Sequence, residues 1–390
     1  MFELQLTPPV IVCLAVLVVA VGYLLLAFRH YIASVSSRVT TDSSTGFPDS
    51  YPSVSVIVYA EDDAANLEIF LPQILAQDFP APYEVIVVND GADAATKEVI
   101  ARLERQHSNL YMTFTPLSSR SLSRKKLAVT LGIKAARYDV ILHTTGNCQA
   151  PSKLWLRAMT RRFTPGTDLV IGYAAPTAAA DEVREPHKRL HAFDTVRSAI
   201  QYLSWAIAGR PFRATGHNLA YRRQVFFDSK GFSRSLNLKY GDDDVFVSQV
   251  ANSRNTEVEL SADSMLLCVE TDPAHAYVAK KKRYTFTAPM LRGHARLFFG
   301  SCSLAWWLAI AATVGASLLG LPSLIPLFAS CILLLITWLV LMFAWRKTSV
   351  ALWSRPIFLT FPWFMSIHPL HTLYYWLKSR FNKSENYSWG

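Results

Sequence analysis

The feature that most restricts this chain is the run Tyr83-Glu84-Val85-Ile86-Val87-Val88-Asn89-Asp90-Gly91. Consecutive β-branched residues cannot alternate between a core face and a solvent face, so both faces must be covered, as in a parallel sheet flanked by helices. The run stops at a carboxylate and a glycine. In open α/β sheets ligands sit beyond the carboxyl ends of the strands, which makes Asp90 a candidate site residue. An ordinary Asn-Asp-Gly turn is the competing reading.

The neighbouring sequence repeats the pattern. Val54 to Tyr59 reads as a second buried strand and leads into an acidic turn at Glu61-Asp62-Asp63. Asn66 to Gln77 has apolar residues at helical spacing, interrupted by Pro72, and Pro80 and Pro82 then introduce the strand at Glu84. Strand, helix, strand is the right-handed crossover unit. A helix at about Ala94 to Gln106, a strand at Leu110 to Phe114, a helix from Arg124-Lys125-Lys126 through Ala136 and a strand at Asp139 to His143 continue it. The basic start of that last helix reads either as a solvated face or as cations and amides placed to hold a diphosphate. Leu190 to Ala208, ending at Gly209 and Pro211, is expected to pack on the sheet and shape the acceptor side.

Composition decides the rest. With 390 residues, 51% hydrophobic, and 39 Lys+Arg against 29 Asp+Glu, there is room for one large domain plus membrane segments. A net charge of +10 suits nucleic acid, anionic lipid or a polyanionic substrate. No nucleic-acid signature is present, and the apolar ends favour lipid and phosphate over nucleic acid. Val10 to Phe28 is uncharged and long enough to cross a hydrocarbon core of about 30 Å. Without a basic start and a small-residue cleavage site it reads as a retained anchor. Arg29, His30 and Arg38 then predict a cytoplasmic domain after it, beyond a Ser/Thr-rich linker from Ser34 to Pro52. Cys302 to Leu319 and Leu324 to Ala344 read as a membrane hairpin, with Arg346 and Lys347 back in the cytoplasm. Ile357 to Leu377, interrupted by Pro362, His368, Pro369 and His371, reads as interfacial, with a fourth crossing as the alternative. Phe286 to Phe299 is also expected along the surface. Cys13, Cys148, Cys268, Cys302 and Cys331 are odd in number and scattered, so they are read as reduced thiols.

In order and spacing, these pieces resemble the family 2 glycosyltransferases of the GT-A fold. The likeness also rests on Gly132-Ile133-Lys134-Ala135-Ala136, Gly216-His217-Asn218-Leu219-Ala220-Tyr221, Gly241-Asp242-Asp243-Asp244 and Arg283-Tyr284, and it covers roughly Ser53 to Arg292. The apolar tail looks like that of membrane-bound bacterial members, which suggests a bacterial inner membrane. The resemblance implies an α/β fold of the nucleotide-diphospho-sugar transferase type, with a mostly parallel sheet flanked by helices, plus transmembrane helices. Expected divisions are an anchor (1–30), a linker (31–52), a GT-A domain (53–285), an interfacial segment (286–300), a hairpin (301–346) and an aromatic tail (347–390). It further implies that Asp90, Asp63, Lys126, Thr145 and Asn147 hold the donor nucleotide and that His217 and Asn218 approach the donor sugar. The acidic motif would supply the base that deprotonates the acceptor hydroxyl for in-line displacement with inversion. Asp243 is assigned that role, with Asp242 as the alternative. Three adjacent carboxylates repel one another, so at least one pKa should be raised.

The chain departs from the family pattern at three places. Gly91 is followed by Ala92-Asp93-Ala94 where the family often has Gly-Ser-x-Asp. The Asp-x-Asp that holds ribose and a divalent cation is replaced by Thr145-Gly146-Asn147. Hard cations want anionic oxygens, and each carboxylate contact is worth on the order of several kcal/mol before desolvation, so Mg2+ or Mn2+ should bind weakly here and no metal ligand is assigned. The Gln-x-x-Arg-Trp signature appears as Lys280-Lys281-Lys282-Arg283-Tyr284. Lys280, Arg283 and Tyr284 are expected at the diphosphate and acceptor, with cationic side chains in place of the metal; a basic run touching anionic lipid is the alternative. The expected function is a membrane-anchored inverting glycosyltransferase that takes a nucleotide-sugar donor and a lipid-linked or growing glycan acceptor in polysaccharide biosynthesis. The other reading is a catalytically impaired nucleotide-binding or scaffolding relative.

Overall fold

The structure is a computed structural model that describes residues 7–91, 93–116, 123–177, 186–270 and 272–381. They divide into two compact units. A helical unit comprises residues 7–36, 189–204 and 293–374, and an α/β unit comprises residues 37–188, 205–292 and 375–381.

The chain opens with α1 (Pro8–Ser44). The α/β unit then follows the expected alternation: β1 (Val54–Ala60), α2 (Ala64–Leu75), β2 (Tyr83–Asn89), α3 (Ala94–Glu104), β3 (Leu110–Phe114), α4 (Arg124–Ala135) and β4 (Val140–Thr145). β1 lies between β2 and β4, parallel to both, with Val56 opposite Val85 and Leu142. Both faces of these strands are buried, which is why each carries consecutive apolar residues, Val56–Val58, Val85–Val88 and Val140–Leu142. Helix α4 presses close to the sheet at Gly132, where a Cβ would stand 2.9 Å from the side chains of Ile57 and Val88.

After β4 come β5 (Cys148–Gln149), α5 (Trp155–Thr160), β6 (Leu169–Ile171), β7 (Ala174–Thr177), α6 (Pro186–Ile207), β8 (Leu219–Arg222), α7 (Arg223–Asp228), α8 (Asp244–Val250), β9 (Thr256–Val258), β10 (Leu266–Val269) and α9 (Pro273–Thr287). The main sheet has the order β3-β2-β1-β4-β8-β6-β9, parallel except where β8 runs against β4 and β6. Connections leave β1 in one direction toward β2 and β3 and in the other toward β4. The crevice at that reversal, outside the carboxyl ends of β1 and β4, is where a ligand fits an open α/β sheet.

A second sheet, β5-β10-β7, pairs Cys268 with Cys148. The two form a disulfide, which corrects the expectation of five reduced thiols. They are 120 residues apart in sequence and become neighbours only through this ladder.

Two other expectations differ from what is observed. Helix α1 runs on to Ser44, through much of the stretch that reads as a linker. Its end is held because buried Asp42 accepts hydrogen bonds from Arg38, Arg162 and the Leu260 backbone N–H. Arg161 and Arg162 also pair with buried Glu259. Second, residues 189–204 of α6 belong to the helical unit rather than the sheet, and Phe193 packs there against Trp345, Phe361 and Phe364.

The rest of the helical unit is α10 (Ala295–Leu319), α11 (Ile325–Ala351) and most of α12 (Phe361–Phe381). Trp306 stacks on Trp338 and donates to Ser366 Oγ. Among the described residues α1, α10 and α11 are long and apolar enough to cross a membrane. Large side chains such as Val19, Leu304, Leu318 and Ile332 point outward along them, as lipid contact demands. Phe286 to Phe299 is not one surface segment: it holds the end of α9, a 3-10 turn and the start of α10.

Candidate active site

At the carboxyl edge of the main sheet, a small cleft of about 20 Å³ is lined by Tyr59, Lys125, His143, Thr145, Tyr221, Asp242 and Asp243 among others. Strand ends and helix starts supply these groups. Tyr59 is next to last in β1, Thr145 closes β4, Lys125 is in the first turn of α4, and Asp242 and Asp243 precede α8.

Charged contacts link the two acidic ends of the site. Arg124 pairs with the Asp90 carboxylate at 2.8 Å and also donates to its backbone carbonyl. Tyr59 OH donates to Asp90 Oδ2 (2.9 Å), and its ring lies 5.5 Å from Lys125 Nζ. Lys125 in turn pairs with Asp242 at 3.0 Å. Asp90 and the acidic triplet therefore face one edge, joined through Tyr59 and Lys125.

The three adjacent carboxyls differ sharply. Asp243 accepts from the backbone N–H groups of Gly216 (3.0 Å) and Asp244 (2.7 Å) and faces Arg283 at 3.7 Å. Burial alone would push its carboxyl up, but Arg283, Lys125 and those two N–H groups more than offset it and hold it well below the usual range. Asp244 is fully buried beside Arg213 and accepts from Thr287 Oγ1. Burial and the adjacent Asp243 charge push it up to about 6. Within the triplet the raised carboxyl is thus that of Asp244, which is not among the residues lining the cleft.

At the Thr145-Gly146-Asn147 turn the oxygens are neutral. The Thr145 hydroxyl donates to Asn147 Oδ1 (2.7 Å) and lies 3.0 Å from His217 Nδ1. Asn147 Nδ2 donates to the Val269 carbonyl (3.0 Å). These two side chains, engaged with each other and with backbone, do not form the anionic oxygen set that a hard divalent cation needs. Asp63 lies against this turn, since a Cβ on Gly146 would be 2.7 Å from Asp63 Oδ2, and burial raises its carboxyl. His217 is pushed down to about 3 by burial and by Lys125 and Arg283, so its ring is neutral.

Helix α9 carries Lys280, Arg283 and Tyr284 on one face by i, i+3, i+4 spacing. Arg283 points at Asp243, while Lys280 lies 5.6 Å from the Tyr284 ring and only partly offsets the burial that raises the Glu270 carboxyl. Tyr284 also stacks under Arg213, whose guanidinium is 4.0 Å from its ring.

Two predicted residues are engaged elsewhere. Lys126 is buried and donates to the carbonyls of Ser235 and Leu238 (2.8 Å to the latter). Its neighbours Arg124 and Lys125 face the acids instead, because consecutive helical residues point about 100° apart and sequence alone does not say which turns inward. Asn218 is fully buried; it donates to the carbonyls of Tyr173 (2.9 Å) and Ser264 (2.7 Å) and accepts from Trp155 Nε1 (3.2 Å). Asp93 caps α3 by accepting from Ala95 and Thr96, and Ala92 lies outside the described residues. Arg213 and Tyr59 were missed by sequence reasoning, since neither stands in a site motif, and Tyr221, which closes the Gly216–Tyr221 piece, was given no role there.

The family model described as glycosyl transferase family 21 matches residues 12–389. Glycosyltransferase AglE of Haloferax volcanii is 28% identical over 123 residues, which is 31% of this chain and 39% of that protein, so the chain spans about two fifths of the length of this relative. A solved structure, mannosyltransferase PcManGT from Pyrobaculum calidifontis in complex with GDP-Man and Mn2+, superposes with a TM-score of 0.52 at 19% identity, covering 88% of this chain and 98% of that one. That likeness establishes the fold, a mostly parallel α/β sheet flanked by helices.

Proposed function

The chain belongs to glycosyl transferase family 21, and from that premise we propose that it is a membrane-anchored, inverting enzyme acting on a lipid-linked or growing glycan acceptor. Sugar transfer from a nucleotide-sugar donor follows from the family; the acceptor, the stereochemistry and the roles below are our reading. The observation that carries it is the continuous line of contacts from Asp90 through Tyr59 and Lys125 to Asp242, with Asp243 in the same cleft.

Asp90 takes the nucleobase end, with Asp63, Thr145 and Asn147 around the nucleoside. Lys125, Arg124, Lys280 and Arg283 take the diphosphate, and His217 stands near the sugar. The base is Asp243, with Asp242 as the alternative. Arg283 and Lys125 keep the Asp243 carboxylate ionised before substrate arrives. A diphosphate entering the cleft competes for the same cations, and each cation it draws away returns basicity to a carboxylate. The acceptor hydroxyl then gives its proton to Asp243 as its oxygen bonds to the anomeric carbon, and the carbon–phosphate oxygen bond breaks on the opposite face. Negative charge growing on the leaving diphosphate is met by the preorganised lysine and arginine side chains.

The neutral Thr145 and Asn147 support weak affinity for Mg2+ or Mn2+ at that turn. Basic residues flanking the apolar helices, Arg29, Arg38, Arg346 and Lys347, support a multi-pass membrane protein with the α/β unit in the cytoplasm. The same neutral turn favours the second reading, a nucleotide-binding relative without turnover.

Transfer and hydrolysis over a panel of nucleotide sugars, with and without chelator, test both. Turnover that falls by roughly 10²- to 10⁴-fold in Asp243→Asn while donor binding persists is the expected result. Undiminished transfer by that variant excludes the base, and donor binding without any turnover in the unsubstituted protein supports the non-catalytic relative.

A further inference from the structure

Cys148, His217 and Cys268 come from β5, the turn before β8, and β10, yet their sulfur and nitrogen atoms all lie within 4.8 Å of one another. Cys268 faces Cys148 across an antiparallel ladder with Cα atoms 4.3 Å apart, and His217 Nδ1 is 3.8 Å from Cys148 Sγ. Thr145 Oγ1 sits 3.2 Å from the same sulfur and lines the cleft.

We propose that, once the Cys148–Cys268 disulfide is reduced, the two thiolates and the His217 imidazole bind a zinc-class divalent cation and leave a fourth coordination position on the Thr145 side. A tetrahedral zinc with Zn–S near 2.3 Å and Zn–N near 2.0–2.1 Å keeps its ligand atoms roughly 3.6–3.8 Å apart. The separation of the Cys148 sulfur from His217 Nδ1, 3.8 Å, already meets that, and on reduction the two sulfurs would have to part to the same distance. Two sulfurs and an imidazole select zinc over magnesium or manganese, so the site differs in kind from the hard-oxygen motif replaced on the same turn. Three protein ligands with one position open is the pattern in which a cation can still take a water or a substrate oxygen.

The redox step is thiol–disulfide exchange: a cellular dithiol gives two electrons and two protons to the pair and becomes a disulfide itself. Both new thiols lose their protons as the cation binds. Metal binding here is independent of whether the chain transfers sugar, so its test needs no activity.

Full-length protein in detergent is expected to show three titratable thiols when denatured without reductant, Cys13, Cys302 and Cys331, and five after reduction. Reduced, metal-free protein titrated anaerobically with Co2+ should develop a thiolate-to-cobalt charge-transfer band that saturates at one equivalent and is bleached by Zn2+. Unreduced protein and Cys268→Ser should lack the band, and His217→Ala should weaken cobalt binding roughly tenfold or more. Five titratable thiols without the band, a pair that withstands reduction, or an unchanged band in Cys268→Ser would each overturn the proposal. The comparison of reduced with unreduced wild type stands even if a variant fails to fold.

Discussion

Replacing Asn218 by alanine separates scaffold from chemistry at the one motif position where the two readings diverge most. Its amide uses both N–H groups on the Tyr173 and Ser264 carbonyls and its oxygen on Trp155 Nε1. Trp155, Tyr173 and Ser264 are themselves buried, so no water replaces the lost partner. Leaving a buried polar group unpaired costs about 1–3 kcal/mol, and three groups with partial relaxation come to roughly 3–5 kcal/mol. For a domain of this size each kcal/mol moves Tm by roughly 2–4 °C, so the melting temperature should fall by roughly 6–20 °C. Tryptophan fluorescence during heating in detergent reads the stability, and donor KM measured well below the melt reads the site. A lower Tm with KM unchanged is expected. An unaltered melt with a raised KM would refute the reasoning and put the amide on the sugar.

Asp244 predicts a pH signature. Its folded pKa of about 6 lies above the ordinary carboxyl value, so between about pH 4 and 6 the folded state keeps a proton that the unfolded chain has lost, and this group's contribution to stability falls as pH rises through 6. The Tm of Asp244→Asn relative to wild type should therefore rise from pH 5 to pH 8; a constant difference would contradict the assignment. Gly132→Ala puts a methyl 2.9 Å from Ile57 and Val88 and should cost about 1–3 kcal/mol in thermal unfolding, with no loss if α4 packs less closely. Lys280→Gln should reduce turnover without changing membrane binding; unchanged turnover would assign this lysine to lipid instead of diphosphate.

The central strands were legible because burial on both faces leaves a mark in consecutive residues: Val54 to Tyr59 and Glu84 to Asn89 allow little else. Short strands leave no such mark. Cys148–Gln149 is too brief for any period to show, so the second sheet and its cysteine pairing were invisible. The stretch after Ser34 has a linker's composition, yet its helix is held by Arg161, Arg162 and Leu260, more than a hundred residues away. An amphipathic helix such as α6 reveals that one face is covered but not by what. Motifs located Asp90, Asp243 and Arg283 on one edge, but could not say that Lys126 and Asn218 turn inward to hold backbone.

Lys126 gives that inward turn a further meaning. Its ammonium grips the carbonyls of Ser235 and Leu238 while Ser123 Oγ reaches the carbonyl of Lys239, so the start of α4 is stapled to the segment entering Gly241. Arg124 and Lys125 on one side of the staple and Asp242 and Asp243 on the other are thereby held in one fixed relation. In the mechanism proposed above, grip on the leaving group and aim at the incoming hydroxyl then could not be adjusted separately, and a lineage that retuned one would have had to re-seat the other.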